Sequence, residues 1–209
     1  MLRVWLIRHG ESETNAGAAS GDPGVSPLTA RGRAQADRLA GAFPEAPALI
    51  VHSPYVRAVR TAEPLADRFP DVPREEWPVQ EFSYLGMFHD RLSTSEERQP
   101  YVLDYWDRAD PHLSLGGAES FAALLDRARH CLDRLARQPT GPVAVFTHGT
   151  FIRAVAWTLL TADPLDMRAF HRFATGLVID NGTVVGLRFP AGAPPAVALG
   201  VDPGSFLGT

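Results

Sequence analysis

At 209 residues, with 45% hydrophobic and 21% charged side chains, the chain has the composition of one well-buried globular domain, which excludes disordered and collagen-like proteins. A formal charge of −4 and a pI near 6.0 argue against a nucleic-acid binder, so any anion must be held by a local cluster of cations. No stretch approaches the roughly 20 unbroken apolar residues of a membrane span, Arg8-His9 ends the first apolar run too early for a signal peptide, and Cys131 is the only cysteine. A cytoplasmic protein with no membrane contact, no intramolecular disulfide and no cysteine-rich metal site is expected.

Leu2 to Ile7 is an apolar run of strand formers that ends abruptly in Arg8-His9-Gly10-Glu11, which predicts a buried strand feeding a functional loop. After the turn-rich segment Gly21 to Pro27, Thr29 caps a predicted helix through about Phe43. Ala48 to Val51 reads as the next strand. Ser53-Pro54 then opens a helix to about Phe69, with proline in its first turn. Pro70 to Pro78 is a connection rich in proline and acids, and Val79 to Phe82 is short and extended.

Residues 83–117 read as an irregular insertion or lid. Within it Ser95 to Arg108 is predicted helical, and Tyr101, Tyr105 and Trp106 are placed either over a cleft or on a plain surface helix. From Ala118 to Arg137 the spacing of Phe121, Leu124, Leu125, Ala128, Leu132 and Leu135 predicts an amphipathic helix. Val143 to Phe146 is a continuous apolar strand ending in Thr147-His148-Gly149, and Phe151 to Leu160 reads as a helix. Gly176 to Asp180 and Thr183 to Phe189 flank Asn181-Gly182, the pair favoured in a type I′ turn, so a closing hairpin is expected to give the sheet an antiparallel edge. Pro190 to Thr209 reads as an extended or partly disordered tail.

This alternation predicts one α/β domain over residues 1–190 followed by a tail over 191–209. The expected architecture is a three-layer α/β/α sandwich with a mostly parallel sheet. Ligands of open α/β sheets sit beyond the carboxyl ends of the strands, where both Arg8-His9-Gly10 and His148-Gly149 fall. The glycines allow close backbone approach to a ligand. Arginine offers a planar fork of donors suited to phosphate, and Arg57 and Arg60, one turn apart, are both candidates; spacing does not decide between them.

Four motifs occur in order: Arg8-His9-Gly10-Glu11; Pro27-Leu28-Thr29 with Gly32 and Gln35-Ala36; Ser53-Pro54 with Arg57-Ala58 and Thr61-Ala62; and Thr147-His148-Gly149. Together they resemble the phosphoglycerate mutase-like, or histidine phosphatase, superfamily from Leu2 to about Ala156. The resemblance implies that His9 attacks phosphorus to form a phosphohistidine, with Arg8, Arg57 and His148 around the phosphoryl group. That role requires a neutral imidazole nitrogen, and neighbouring guanidinium charges favour it: like charges about 4 Å apart repel by roughly 4 kcal/mol at an effective dielectric of 20.

The resemblance also implies a carboxylic acid that protonates the leaving group, and Glu81 is the best match, with Glu75 or Glu76 as replacements and Glu11 a weaker one. Asn15 matches a phosphate-donating asparagine or serves a turn, and Gly21 offers a backbone N–H to phosphate. Ser120 reads as a helix cap, Cys131 as a packed hydrophobe, and His52, His130 and His171 as structural or surface residues; His89 and His112, in the lid, are candidate substrate contacts. Arg153 either holds the His148 loop or faces solvent. No metal-ligand spacing occurs, and no cofactor is expected, because the arginines supply the positive charge.

The expected function is a metal-independent phosphatase acting on a small phosphorylated metabolite, a phosphomonoester, through phospho-His9. The alternatives are a phosphoglycerate mutase and a non-catalytic phosphate-binding module. Mutases of the family are typically longer and carry a Glu-Gly pair after the acid, whereas this chain has Glu81-Phe82-Ser83-Tyr84-Leu85-Gly86. The terminal hairpin or tail either mediates a homodimer or covers the chain's own core.

Overall fold

The computed structural model describes residues 2–138, 141–190 and 192–198. Apolar strand formers build β1 (Leu2–Arg8), β2 (Leu49–His52) and β4 (Pro142–Thr147), which lie side by side and parallel, with the short β3 (Arg74–Glu76) parallel to β2. Beyond β1 the sheet turns antiparallel with β5 (Val184–Phe189) and β6 (Ala196–Ala198), giving the order β3-β2-β4-β1-β5-β6. This is the predicted mostly parallel sheet, with two strands at its antiparallel edge where one was expected.

Side chains alternate across the strands and so reach two cores. Trp5, Ile7, Ile50, Ala144 and Phe146 pack on α1 (Ala30–Ala42) and α2 (Val56–Arg68). On the opposite face Val4, Leu6, Val51, Val143 and Val145 pack with α4 (Phe121–Ala136), α5 (Gly149–Leu160) and α6 (Met167–Gly176). The core is therefore two layers of side chains, one on each face of the sheet, within an α/β/α sandwich.

Local chemistry sets the helix starts. Thr29 accepts from Gly32 N at 3.0 Å, Ser120 accepts from Ala123 N at 3.2 Å, and α3 (Ser95–Arg108) opens with a capping box between Thr94 and Glu97. The second helix begins two residues later than Ser53-Pro54 suggested, because Ser53 Oγ accepts from Tyr55 N at 3.2 Å and holds that segment as a turn.

The closing hairpin does not form. Asn181-Gly182 does sit in a turn, with Thr183 N donating to Asp180 O at 3.0 Å, but residues 177–180 leave the end of α6 without pairing, and β5 pairs with β1 instead. The helix α6, whose Met167 and Phe170 are buried, was missed in sequence because its apolar positions are interrupted by Arg168, His171 and Arg172. Of the tail, Ala196–Ala198 forms β6; residues 199–209 lie outside the described residues.

The segment 83–117 carries a 3-10 turn (Gly86–Phe88) and α3, and it is anchored by Tyr105 and Trp106, both buried against Phe82 and Phe121. Tyr101 instead lies exposed with its ring edge on Phe88.

Candidate active site

Strand register creates the site. Arg8 of β1 lies opposite Thr147 of β4, so His9 and His148, the next residues, leave adjacent parallel strands at one level, with ring centroids 4.9 Å apart. His9 N donates to Thr147 O at 3.0 Å, and Ser53, leaving β2, donates its N–H to Phe146 O at 3.0 Å. The three loops that follow the central strands therefore meet above the sheet.

Each ring nitrogen of His9 has a defined role. Nδ1 lies 2.7 Å from Gly10 O and must donate there, while Nε2 accepts from Arg57 Nε at 3.1 Å. The network thus holds a neutral imidazole with its lone pair on Nε2. Burial, then Arg57, then Arg8 push the His9 pKa well below 6.5, against the Gly10 hydrogen bond, which raises it.

His148 is fully buried, and its Nε2 lies 2.8 Å from Ser53 Oγ. Ser53 Oγ already accepts from Tyr55 N, and among the described residues its hydroxyl proton has no acceptor other than His148. Ser53 therefore donates to Nε2, which leaves the proton of His148 on Nδ1, a buried atom with no partner. Burial, then the charge of Arg57, hold His148 neutral as well.

Arg57 reaches inward, donating to Pro23 O as well as to His9, whereas Arg60 pairs with Glu63 at 2.8 Å on the exposed side of α2. Arg8 donates Nη1 to Ile179 O, and its Nε is buried without a partner. Glu81 Oε1 accepts from Phe82 N at 3.0 Å and from Thr150 N, in the first turn of α5, at 3.1 Å. The competing acids lie elsewhere: Glu75 binds Trp77 Nε1 and Arg134, Glu76 is exposed on β3, and Glu11 accepts from Thr29 Oγ1 at 2.8 Å.

Arg8, His9, Asn15, Gly21, Arg57 and Glu81 line one cavity of about 280 Å³ whose far wall comes from residues 83–102. His148 is not among the residues that line it; its ring stands 4.9 Å from that of His9. Asn15 Oδ1 accepts from Ser12 N and Oγ and from Asn181 Nδ2. Of the two lid histidines, His89 lines the cavity, while His112 is exposed and does not. Arg153 donates to Leu177 O at 2.9 Å, and His171 stacks on Trp106.

Sequence reasoning treated Asn181-Gly182 as a hairpin turn only. In the structure Asn181 Nδ2 and Gly182 N both donate to His9 O, at 3.0 and 3.2 Å, and Gly182 N also reaches Arg8 O. No local pattern marks that role, because it depends on β5 returning beside β1. Among the described residues no group of three or more His, Cys, Asp or Glu side chains is disposed to hold a metal ion.

The Arg8-His9 loop is also fixed by a close approach of backbone to α1. A Cβ on Gly32 would stand 2.0 Å from Glu11 O, and one on Gly10 would stand 2.4 Å from Gly32 O. Gly32→Ala is therefore expected to destabilise the fold by about 1–3 kcal/mol, the usual cost of overpacking, and to lower activity by moving His9. Urea midpoints beside kcat test this; an alanine variant with wild-type values in both contradicts the geometry.

The neutral imidazoles make a further expectation. Their folded pKa values lie below 6.5, the value of the unfolded chain, so unfolding takes up protons as pH falls. Their contribution to stability is fully present above about pH 6.5 and is lost below it, by up to about 1.4 kcal/mol per pH unit for each ring. His148→Gln should flatten the fall between pH 6.5 and 5 in urea titrations. An unchanged slope would mean that His148 is not held neutral.

With this geometry in place, comparison identifies the family. A family model described as "Histidine phosphatase superfamily (branch 1)" matches residues 4–200, and the chain belongs to that superfamily. It is 28% identical over 208 residues to a 2-carboxy-D-arabinitol-1-phosphatase of Triticum aestivum, covering 94% of this chain but only 39% of that protein. It is 32% identical to an adenosylcobalamin/alpha-ribazole phosphatase of Salmonella typhimurium, over 64% of this chain and 67% of the relative. A probable phosphoglycerate mutase of Serratia proteamaculans is 30% identical over 77% of this chain and 75% of its own. Among solved structures, a phosphoserine phosphatase mutant from Entamoeba histolytica in complex with phosphoserine superposes with a TM-score of 0.73 at 23% identity, over 94% of this chain and 95% of that one, a likeness of fold.

Proposed function

We propose that the protein is a histidine phosphatase that hydrolyses a small phosphomonoester through a phosphohistidine on Nε2 of His9. The observation that carries this reading is the His9 network: Nδ1 donates to Gly10 O, and the Nε2 lone pair lies beside Arg57 within the cavity that Arg8 and Glu81 also line. A phosphatase reading also agrees with the names of two of the relatives.

In the first step a phosphoryl oxygen replaces Nε2 as the partner of Arg57, which frees the lone pair. Arg8 Nε and His148 Nδ1, buried without partners, donate to the other oxygens, with Asn15 and the backbone of Gly21 at the rim. Nε2 attacks phosphorus, the P–O ester bond breaks, and Glu81 gives its proton to the departing alkoxide. The Nδ1 bond to Gly10 O stabilises the positive ring of phosphohistidine. In the second step Glu81 takes a proton from water, the water oxygen attacks phosphorus, and the Nε2–P bond breaks to release phosphate. The arginines supply the positive charge along this path.

Cys131 is buried in α4, and burial pushes its thiol up to about 12, so it is inert. A lone reduced cysteine suits the cytoplasm, where we place the enzyme; among the described residues no helix is long and apolar enough to cross a membrane. The function is tested by metal-free phosphate release from a panel of phosphomonoesters, with 3-phosphoglycerate isomerisation measured in parallel. Phosphate release supports the reading. Isomerisation without release would assign the chain to the mutases, and binding with neither would make it a phosphate-binding module.

A further inference from the structure

A closed ring of four hydrogen bonds runs through the nucleophile and the arginine beside it. Arg57 Nε donates to His9 Nε2 at 3.1 Å, and His9 Nδ1 donates to Gly10 O at 2.7 Å. Gly10 N in turn donates to Thr61 Oγ1 at 3.0 Å, and the Thr61 hydroxyl returns to α2 by donating to Arg57 O at 2.6 Å. Every member is buried. The directions are forced: Gly10 N–H can only donate, so the hydroxyl proton of Thr61 goes to Arg57 O. The bonds therefore run head to tail, an arrangement in which each polarises the next.

Thr61 does not line the cavity, and a threonine hydroxyl bonded to the carbonyl four residues back in its own helix is ordinarily a local matter. Here it also pins one edge of the peptide unit that joins His9 to Gly10. The carbonyl edge of that unit, His9 O, accepts from Asn181 Nδ2 and Gly182 N, while its N–H edge, Gly10 N, is held by Thr61. The next unit carries the Gly10 carbonyl that orients the imidazole, and its own N–H, on Glu11, donates to Gln35 Oε1 at 2.7 Å. Glycine has no side chain to resist rotation between the two units, so their angle is kept by these outside partners.

Substrate binding breaks one bond of the ring. On the proposed path a phosphoryl oxygen takes Arg57 away from Nε2, and the imidazole is then aimed only from its Nδ1 side, through Gly10 O. Thr61 is what still joins Gly10 to α2. We infer that Thr61 is a positioning residue: its hydroxyl holds Gly10 so that His9 keeps its proton on Nδ1 and the lone pair of Nε2 aimed at phosphorus after Arg57 has turned to the substrate.

This role rests on the phosphohistidine reading, and the experiment separates the two. Thr61→Val keeps the size of the side chain and removes the hydroxyl. It is expected to lower kcat/KM for a phosphomonoester by about tenfold to a hundredfold, the cost of displacing reacting groups by about 1 Å, while inhibition by inorganic phosphate keeps its wild-type concentration dependence. Thr61→Ser, which restores donor and acceptor, should recover most of the loss. Thr61→Cys, whose thiol makes weaker bonds at the same place, should fall between them and carries the test if the valine variant does not fold. Nuclear magnetic resonance of protein labelled with nitrogen-15 in its histidines reads the geometry without turnover. The Nδ1 proton of His9, assigned by its absence from His9→Ala, should give a resonance in wild type and exchange with water too fast to be seen in Thr61→Val. That readout stands even if no ester is hydrolysed and the phosphatase reading fails. A Thr61→Val protein with wild-type kcat/KM and the Nδ1 resonance intact overturns the inference and leaves Thr61 a residue of the helix only. So does one that loses phosphate affinity in step with kcat/KM, which would place the effect of the hydroxyl on Arg57 as a binding group.

Discussion

Replacing His9 by alanine is expected to lower turnover at least about 10⁴-fold, because the nucleophile has no substitute and its loss removes the whole covalent path. The nearby imidazole of His148 cannot take over: its Nε2 is engaged with Ser53, and its Nδ1 carries the ring proton. The fold should survive, since the backbone of His9 is held independently by Thr147 O, Asn181 Nδ2 and Gly182 N. A circular dichroism melt near that of the wild type, beside the lost activity, is the expected pair of results. A folded His9→Ala enzyme with turnover within tenfold of wild type would remove the covalent mechanism altogether.

Glu81→Gln should slow hydrolysis of alkyl phosphates by about 10²–10⁴-fold, the reach of general acid catalysis. The glutamine keeps an oxygen for the Phe82 and Thr150 N–H groups, so the local structure persists while the transferable proton is gone. The loss should depend on the leaving group. In kcat/KM, which reports phosphorylation of His9, a p-nitrophenyl ester needs no proton on departure and should lose less than about tenfold. Equal losses for alkyl and nitrophenyl esters would assign Glu81 to holding the start of α5 instead of to proton transfer.

Much of this site is visible in the sequence because its parts sit at strand ends. The apolar runs of β1 and β4 stop at Arg8-His9 and Thr147-His148, and parallel pairing then brings those ends together. The helices α3 and α4 are legible for local reasons as well: Thr94 and Ser120 cap them, and in α4 the buried positions repeat with the turn of the helix. The choice between Arg57 and Arg60 was beyond spacing, since both lie one turn apart on α2 and only the tertiary position of β1 decides which one meets His9. Likewise Asn181 looked like a residue of a hairpin turn. Its bonds to His9 O and Asn15 join parts of the chain more than 160 residues apart, and no local pattern encodes them. At three residues each, β3 and β6 are too short to be distinguished from loop; each exists because a formed strand offers it an edge.

The central claim is a covalent phosphoryl group on Nε2 of His9, and rapid quenching of the enzyme during turnover into alkali, which preserves phosphohistidine, tests it most directly. Mass spectrometry of the digested protein should find the mass of one phosphoryl group on the peptide that contains His9, absent from His9→Ala and lost when the sample is acidified. Turnover of the same substrate with no phosphorylated His9 peptide at any quench time, or with the group on another residue, would contradict it.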